Sequence, residues 1–563
     1  MLYILLNWIY IFLICLGMGA ILNSILRTKT RLFYTLLLGI FAEMILIHFY
    51  AIGFPINEFF YGFNFILASF GIIFHKKILS QQIKSAISDW KTWKKPIQIL
   101  GILLTILILM QSATQPFIVD NETYYIQTLK WLNEFGLIKG LTNLHIFFGQ
   151  MSGWHLLQSG FNFGFVSNSL NDVNGFLMLI FTGFSLYHLN RFFQTRITMD
   201  LFLGLIPVGN LFLFQFLSAP SPDLPVFLIS QLIFYLFYRN YVEYQGDFKM
   251  LFILTLLLIL TKITVVPLLI LPLVLIIRHQ LFKSEWKYAF GISLITLSGF
   301  LLKNYIISGY LFYPTEILSS FLNPDWKAAP EMLRLFFEER PEYEIIPNQL
   351  SEINQENFFQ LFKNWLLEPG LRSIFNKLII VLLLIFPLYI RKNKTLFWLY
   401  IYALVQFGLL YFTSPQYRFF MPLIIGMSLY ILAKLLLHSP KKVIPVFAFF
   451  SLIVVVPLIF SFNVSNLKNS EFMPDKLEAY RIENIIKPAK NSLHNFEYEL
   501  IEEGNLKYNS PIGQEEFFWI TGDGDLPTVN RRMVEYFKKW YKIRPQMRSE
   551  SLKEGFHAEK LKE

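Results

Sequence analysis

Cysteine is nearly absent: Cys15 is the only one in 563 residues. An internal disulfide and a cysteine-rich metal cluster are therefore excluded. Cys15 lies in the first apolar run and reads as a packing or lipid-facing residue. Charge is also scarce, at 16% of residues against 54% hydrophobic and 18% aromatic, a balance that few soluble domains show. There is no P-loop, no GxGxxG dinucleotide loop, no HExxH and no nucleophile elbow, which argues against a nucleotide-driven pump. No internal repeat points to an inverted-repeat transporter. The opening stretch "MLYILLNWIYIFLICLGMGA" has no basic region ahead of its apolar run. It reads as a retained helix, not a cleavable signal.

What is present is a succession of apolar runs close to the roughly 20 residues that cross a bilayer. The formal charge of +10 does not call for nucleic acid, because Lys and Arg gather in short connections between those runs, as they do in polytopic membrane proteins. Placing "RTKTR" (Arg27–Arg31) in the cytoplasm sets the parity. The second run then exits, the third returns to "HKKILSQQIKSAISDWKTWKK", and the fourth, starting at Ile97, exits again. The basic, Ile- and Trp-interleaved stretch predicts an amphipathic helix on the inner leaflet. Later, "LFILTLLLILTKITVVPLLILPLVLII" has basic residues at both ends, which requires an even number of crossings. It predicts a tight or re-entrant hairpin with Lys262 at its outer tip. About 12 to 14 membrane helices follow from this count.

By the same parity the connections assigned inside are short and basic, and those assigned outside hold most of the chemistry-bearing residues. "PFIVDNETYY" puts Asp120 and Glu122 just beyond a helix end. Such a pair can supply a general base and an orienting or cation-binding carboxylate. Asp120 also suits the cap of the following helix. "NLHIFFGQMSGWH" brings Asn143, His145 and His155 among aromatics. The histidines lack zinc-ligand spacing and read as sugar or phosphate contacts, or as ordinary interfacial histidines. Asp223 in "SAPSPDLP" is either fully wet or faces a polar cavity, since a carboxylate in the bilayer core is costly. Lys262 suits a phosphate as a point charge, with a lysine that snorkels to the headgroups as the plainer alternative. Lys303 in "LKNYIISGYLFYP" is a further anion contact, and Arg418 in "SPQYRFFMP" can grip a phosphate with two donors.

These stretches, in the order "VDNETYY", "WLNEFGLIKGLTNLH", "SAPSPD", "TKIT", "NYIISGYLFYP" and "SPQYRFF", give the chain a layout that resembles the GT-C superfamily of polytopic glycosyltransferases. The resemblance reaches to about Phe462 and implies an all-α polytopic fold. It assigns Asp120, with Glu122 beside it, the catalytic role. The reading of the separate stretches gives Lys262, Arg418 and Lys303 the donor phosphate. It leaves Asn143, His145, His155 and Asp223 to bind substrate. A divalent cation (Mg or Mn) on Asp120 and Glu122 is an option. The implied reaction transfers sugar from a polyprenyl phosphate to a glycan, lipid or protein acceptor in cell-envelope polysaccharide synthesis. It takes place at the extracytoplasmic face of the cytoplasmic (inner) membrane, with membrane lipids as partners and no nucleic acid. A transporter or flippase, and a ligase or polymerase of lipid-linked glycans, are the alternatives.

The expected organisation is residues 1–113 as N-terminal membrane helices with the interfacial helix, and 114–462 as a GT-C-like core with large outer loops 114–173 and 308–375. Residues 463–563 are a small extracytoplasmic C-terminal module, α+β or partly disordered.

Overall fold

A computed structural model describes residues 1–167, 169–338, 358–391, 393–466, 475–513 and 517–561. Within the expected outer loop 308–375, residues 339–357 lie outside the described residues.

The chain is mostly helical. In order, its main helices are α1 (Leu2–Leu26), α2 (Leu32–Tyr50), α3 (Glu58–Thr92), α4 (Lys95–Ser112), α5 (Ile126–Glu134), α6 (Gly153–Ser159) and α7 (Val173–Thr195). Next come α8 (Thr198–Phe216), α9 (Asp223–Val242), α10 (Phe248–Thr261), α11 (Ile263–His279) and α12 (Phe282–Ser308). The last membrane-type helices are α13 (Leu371–Ile390), α14 (Lys394–Thr413), α15 (Tyr417–Leu437) and α16 (Pro440–Ile459). Ten of them, α1 to α4, α8 and α12 to α16, are long and apolar enough to cross a membrane, and α10 and α11 are shorter apolar helices. This is the helix set of a multi-pass membrane protein. Large apolar side chains such as Phe74, Ile102, Leu294, Leu384 and Phe449 stand exposed on the helix flanks, where lipid in place of water is the compatible solvent.

Small residues bring α1, α2 and α3 together. A methyl group on Gly39 would lie 2.0 Å from the Cys15 carbonyl oxygen, and one on Gly71 would lie 2.3 Å from that of Gly17. The backbones approach this closely only where no Cβ intervenes, the usual means of helix association in lipid. Cys15 itself is fully buried, so it packs and does not face lipid. The expected amphipathic segment is the second half of α3, which leaves helical geometry at His75 (φ −109°, ψ 15°) and runs on to Thr92.

Hydrogen bonds sort the helix ends into two groups. At one end Gln82 donates to the Thr30 carbonyl at 2.7 Å, Lys249 to that of Leu26 at 2.9 Å, and Arg31 to the Tyr187 hydroxyl. At the other end the N-terminal amine donates to the Asn484 carbonyl at 2.5 Å and the Ala489 amide to the Ala113 carbonyl at 3.0 Å. The α10–α11 pair folds back as a hairpin. Arg278 donates to the Tyr241 carbonyl at 2.5 Å, and His279 Nε2 lies 2.8 Å from that of Asn240, while Lys262, in extended backbone between the two helices, meets Asp223 at the opposite end.

Past α16 the chain forms three antiparallel strand pairs, β1 (Phe462–Asn463) with β2 (Lys476–Leu477), β3 (Tyr498–Glu503) with β4 (Leu506–Pro511), and β5 (Ile543–Met547) with β6 (Phe556–Lys560). A short helix, α17 (Arg531–Tyr536), lies between β4 and β5. In the β3–β4 hairpin Glu503 pairs with Leu506 across the two-residue turn Gly504–Asn505, and Gly504 supplies the positive φ of 65° that such a tight turn requires. This C-terminal segment is docked on the 114–173 loop. The Thr521 and Gly522 amides both donate to the Glu122 carbonyl at 2.9 Å, and the Phe556 amide to that of Lys139 at 3.0 Å.

Candidate functional site

Four charged side chains from four separate parts of the chain meet at one end of the bundle. Asp120 lies between α4 and a single π-turn, Asn121–Tyr125. Asp223 opens α9, Lys262 breaks the α10–α11 hairpin, and Arg418 lies in the first turn of α15. Each sits at a helix terminus, where an apolar run gives way to polar sequence.

Arg418 Nη1 is 2.5 Å from Asp120 Oδ2 and 3.5 Å from Asp223 Oδ2. Lys262 Nζ pairs with the other Asp223 oxygen. The four charges thus form a continuous chain: Asp120, Arg418, Asp223, Lys262. Gln416 accepts from Arg418 Nε at 2.9 Å and fixes the guanidinium plane. The Phe419 ring lies 3.7 Å from Lys262 Nζ and 5.4 Å from the Arg418 guanidinium carbon, close enough to attract both cations. Tyr125 donates its hydroxyl to Asp120 Oδ2 at 3.3 Å. The Asp223 side chain is only 2% exposed, against 23% for Asp120 and 21% for Arg418. Asp223 is therefore the buried counter-ion, and Asp120 and Arg418 form the open rim.

His155 and Lys303 are buried beside this chain of charges. The Ser152 amide donates to His155 Nδ1 at 3.2 Å, as part of the cap of α6. That acceptor role places the proton of the neutral imidazole on Nε2, and Nε2 has no hydrogen-bond partner among the described residues. Burial first, then the Lys303 and Lys262 ammoniums, push His155 down to about 3, so the ring is neutral at physiological pH. A buried N–H donor without an acceptor costs roughly 1–3 kcal/mol. Lys303 Nζ donates to the Met151 carbonyl; among the described residues no carboxylate pairs with it. It is a buried cation in addition to the two that the carboxylates balance.

Three other expected site residues are turned elsewhere. Ser492 Oγ and the Leu493 amide donate to the Glu122 carboxylate at 2.6 and 3.0 Å, and Asn121 Nδ2 adds a contact at 3.2 Å. Burial raises its pKa, and these donors partly offset the shift. Glu122 thus fastens the C-terminal segment. His145 Nε2 lies 3.2 Å from the Trp519 carbonyl, and its Nδ1 accepts from the Phe147 amide at 3.2 Å. Asn143 donates to the Trp326 carbonyl at 2.9 Å. A divalent ion shared by Asp120 and Glu122 does not fit these donors, because Arg418 and Tyr125 take one carboxylate and the C-terminal segment takes the other. Among the described residues no group of three or more His, Cys, Asp and Glu side chains is placed to hold a metal.

Local sequence gave no sign of Tyr125, Gln416, Phe419 or the C-terminal donors Ser492 and Leu493. The π-turn was the nearest thing to a signal, since such irregularities gather at functional sites, but it is invisible in residue spacing.

No curated protein and no solved structure matches the chain. One family model does match, over residues 1–425, about three quarters of the length. The match includes all four members of the charge chain and stops short of the C-terminal segment docked on the 114–173 loop. On that match the chain belongs to the family described as Domain of unknown function (DUF8201).

Proposed function

We propose that the chain is a GT-C-like, lipid-dependent glycosyltransferase. It would act at the extracytoplasmic face of the cytoplasmic membrane on a polyprenyl-phosphate-linked sugar. The observation that carries this reading is the convergence of Asp120, Asp223, Lys262 and Arg418 on one partly open site at helix ends. A carboxylate at the rim and cations behind it are what transfer from a lipid phosphate needs: a base for the acceptor and a positive seat for the leaving group.

Asp120 takes the proton of an acceptor hydroxyl, whose oxygen attacks the anomeric carbon from the side opposite the phosphate. The bond from that carbon to the phosphate oxygen breaks, and its electron pair leaves with the lipid phosphate. Arg418, Lys262 and Lys303 hold that charge, and the Nε2–H of His155 supplies a neutral donor. At rest Arg418 occupies one Asp120 oxygen, so an arriving phosphate that draws Arg418 to itself also releases the base. Binding of donor and arming of Asp120 are then a single event.

The test is reconstitution of the purified chain in proteoliposomes with a panel of radiolabelled polyprenyl-phosphate sugars and membrane-extract acceptors. Transfer by the wild type that falls at least about a hundredfold in Asp120→Asn, the size expected for a lost general base, supports the reading. Transfer that Asp120→Asn leaves intact, or no transfer from any donor on the panel, overturns it.

A further inference from the structure

Two buried carboxyl groups among the N-terminal helices lie outside the charge chain and take no part in the transfer reading. Glu43 of α2 is 0% exposed, and Asp172, the residue before α7, is 1% exposed. Each meets one asparagine. Asn64 of α3 donates to Glu43 Oε2 at 3.0 Å, and Asn7 of α1 donates to Asp172 Oδ2 at 2.8 Å. Among the described residues no cationic side chain pairs with either carboxyl.

The atoms left over repeat one pattern in both places. Glu43 Oε1 and Asn64 Oδ1 are buried without a hydrogen bond among the described residues, and so are Asp172 Oδ1 and Asn7 Oδ1. With the carboxyls ionised, all four oxygens are acceptors only. A buried carboxylate with a single N–H donor is also the costly case, since an ion taken out of water without a counter-charge gives up its charge instead. One proton on each carboxyl meets both demands. It removes the charge, and it supplies an O–H for which the oxygen of the same asparagine is an unclaimed acceptor. Amide orientation does not alter this. Asn7 is fixed, because its amide nitrogen also donates to the Phe161 carbonyl at 2.8 Å. Turning the Asn64 amide over would set its oxygen against Glu43 Oε2, a contact that itself needs a proton.

The neighbours bring no compensating charge. Tyr10 and Cys15 of α1 are the titratable side chains near Glu43. Tyr10 donates its hydroxyl to the Tyr61 carbonyl at 3.3 Å, and Cys15 is fully buried. The N-terminal amine lies on the Asp172 side but donates to the Asn484 carbonyl at 2.5 Å. Burial raises the Asp172 carboxyl above its usual range, against the pull of Asn7 and of that amine.

We propose that Glu43 and Asp172 are proton-binding sites, each held at neutral pH as a carboxylic acid paired with an asparagine amide. The first pair fastens α3 to α2, and the second fastens α7 to α1. Nothing in this rests on the transfer reading.

The experiment compares infrared spectra of the full-length chain in detergent at pH 7 with those of Glu43→Gln and Asp172→Asn. Each variant puts an amide N–H where the acid O–H stands, so both should fold. Each difference spectrum should contain the carbonyl band of an un-ionised carboxyl. Unfolded, the two groups ionise at roughly pH 4; folded, they keep the proton. Each pH unit above that therefore costs the wild type about tenfold in its folding equilibrium for each group, a loss the matching variant escapes. Between pH 5 and 7 the wild-type melting temperature should fall relative to both variants. A carboxylate band in place of the acid band in either difference, or melting curves that move together with pH, overturns the proposal. So does a wild-type spectrum with no un-ionised carboxyl band, a reading that needs no variant. If sodium ions at constant pH replace the acid band by a carboxylate band, the sites hold a metal cation and the proposal falls.

Discussion

Asp120 and Arg418 stand 298 residues apart in the chain and share a contact of 2.5 Å between Oδ2 and Nη1. Arg418→Lys keeps the charge at this contact but loses the planar fork that can hold Asp120 and a phosphate in turn. The expected result is a rise in KM for the lipid-linked donor of about tenfold or more, the scale of a lost charge-assisted hydrogen bond. Steady-state kinetics in proteoliposomes measures it. An unchanged KM would mean that the guanidinium does not meet the donor.

Asp223 is buried and holds Lys262. Removing one partner strands the other's charge, and Asp223→Ala is expected to cost about 3–5 kcal/mol of stability. Adding Lys262→Met to that variant should recover a large part of the loss. A thermal double-mutant cycle in detergent reads the coupling, and strictly additive losses would show that the two side chains act independently.

Glu122 separates fastening from catalysis. Glu122→Gln keeps an acceptor oxygen for the Leu493 amide and puts an amide N–H where the Ser492 hydroxyl oxygen can accept, so transfer should stay within a few-fold of wild type. Glu122→Ala leaves those groups without their acceptor, at roughly 1–3 kcal/mol. Limited proteolysis should then cut faster between residues 486 and 525. If Glu122→Gln abolished transfer as Asp120→Asn does, the carboxylate would belong to the chemistry.

His145 gives a pH signature. Burial pushes its pKa from an ordinary 6.5 down to about 4. Above pH 6.5 the ring is neutral folded or unfolded and contributes nothing to the slope. Between pH 6.5 and 4 the unfolded chain binds a proton that the folded one refuses, so stability falls with pH across this window. His155 acts with the same sign, down to about 3. Melting curves from pH 7 to 4 should show a shallower loss in His145→Gln than in wild type. Parallel curves would show that His145 is not held neutral.

The helices were legible because hydrophobic run length is a local property, and so was the hairpin, because basic residues at both ends of one apolar stretch demand an even number of crossings. The individual members of the charge chain were legible for the same reason: a lone Lys262 or Asp223 beside an apolar run stands out. Their pairing was not, since nothing in the spacing of residues 120, 223, 262 and 418 says that four helix ends meet. Nor did the pair "DNE" show that its two acids point to different partners. That depends on Ser492 and Leu493, some 370 residues later in the chain. His145 was ambiguous for a related reason. Aromatic surroundings suit a sugar site and a closed interior equally, and only the Trp519 carbonyl fixes His145 in the second.

The hairpin that carries Lys262 has one further consequence. Its first helix, α10, has 14 residues and reaches only about 21 Å, well short of the roughly 30 Å of hydrocarbon in a bilayer. The ammonium at its tip nonetheless meets Asp223, the first residue of the 20-residue α9. Extended backbone and a long side chain, not helix, therefore span the last part of that distance. The height of this charge is set by its partner on another helix, and losing Asp223 would free the hairpin tip to settle at its own shorter reach.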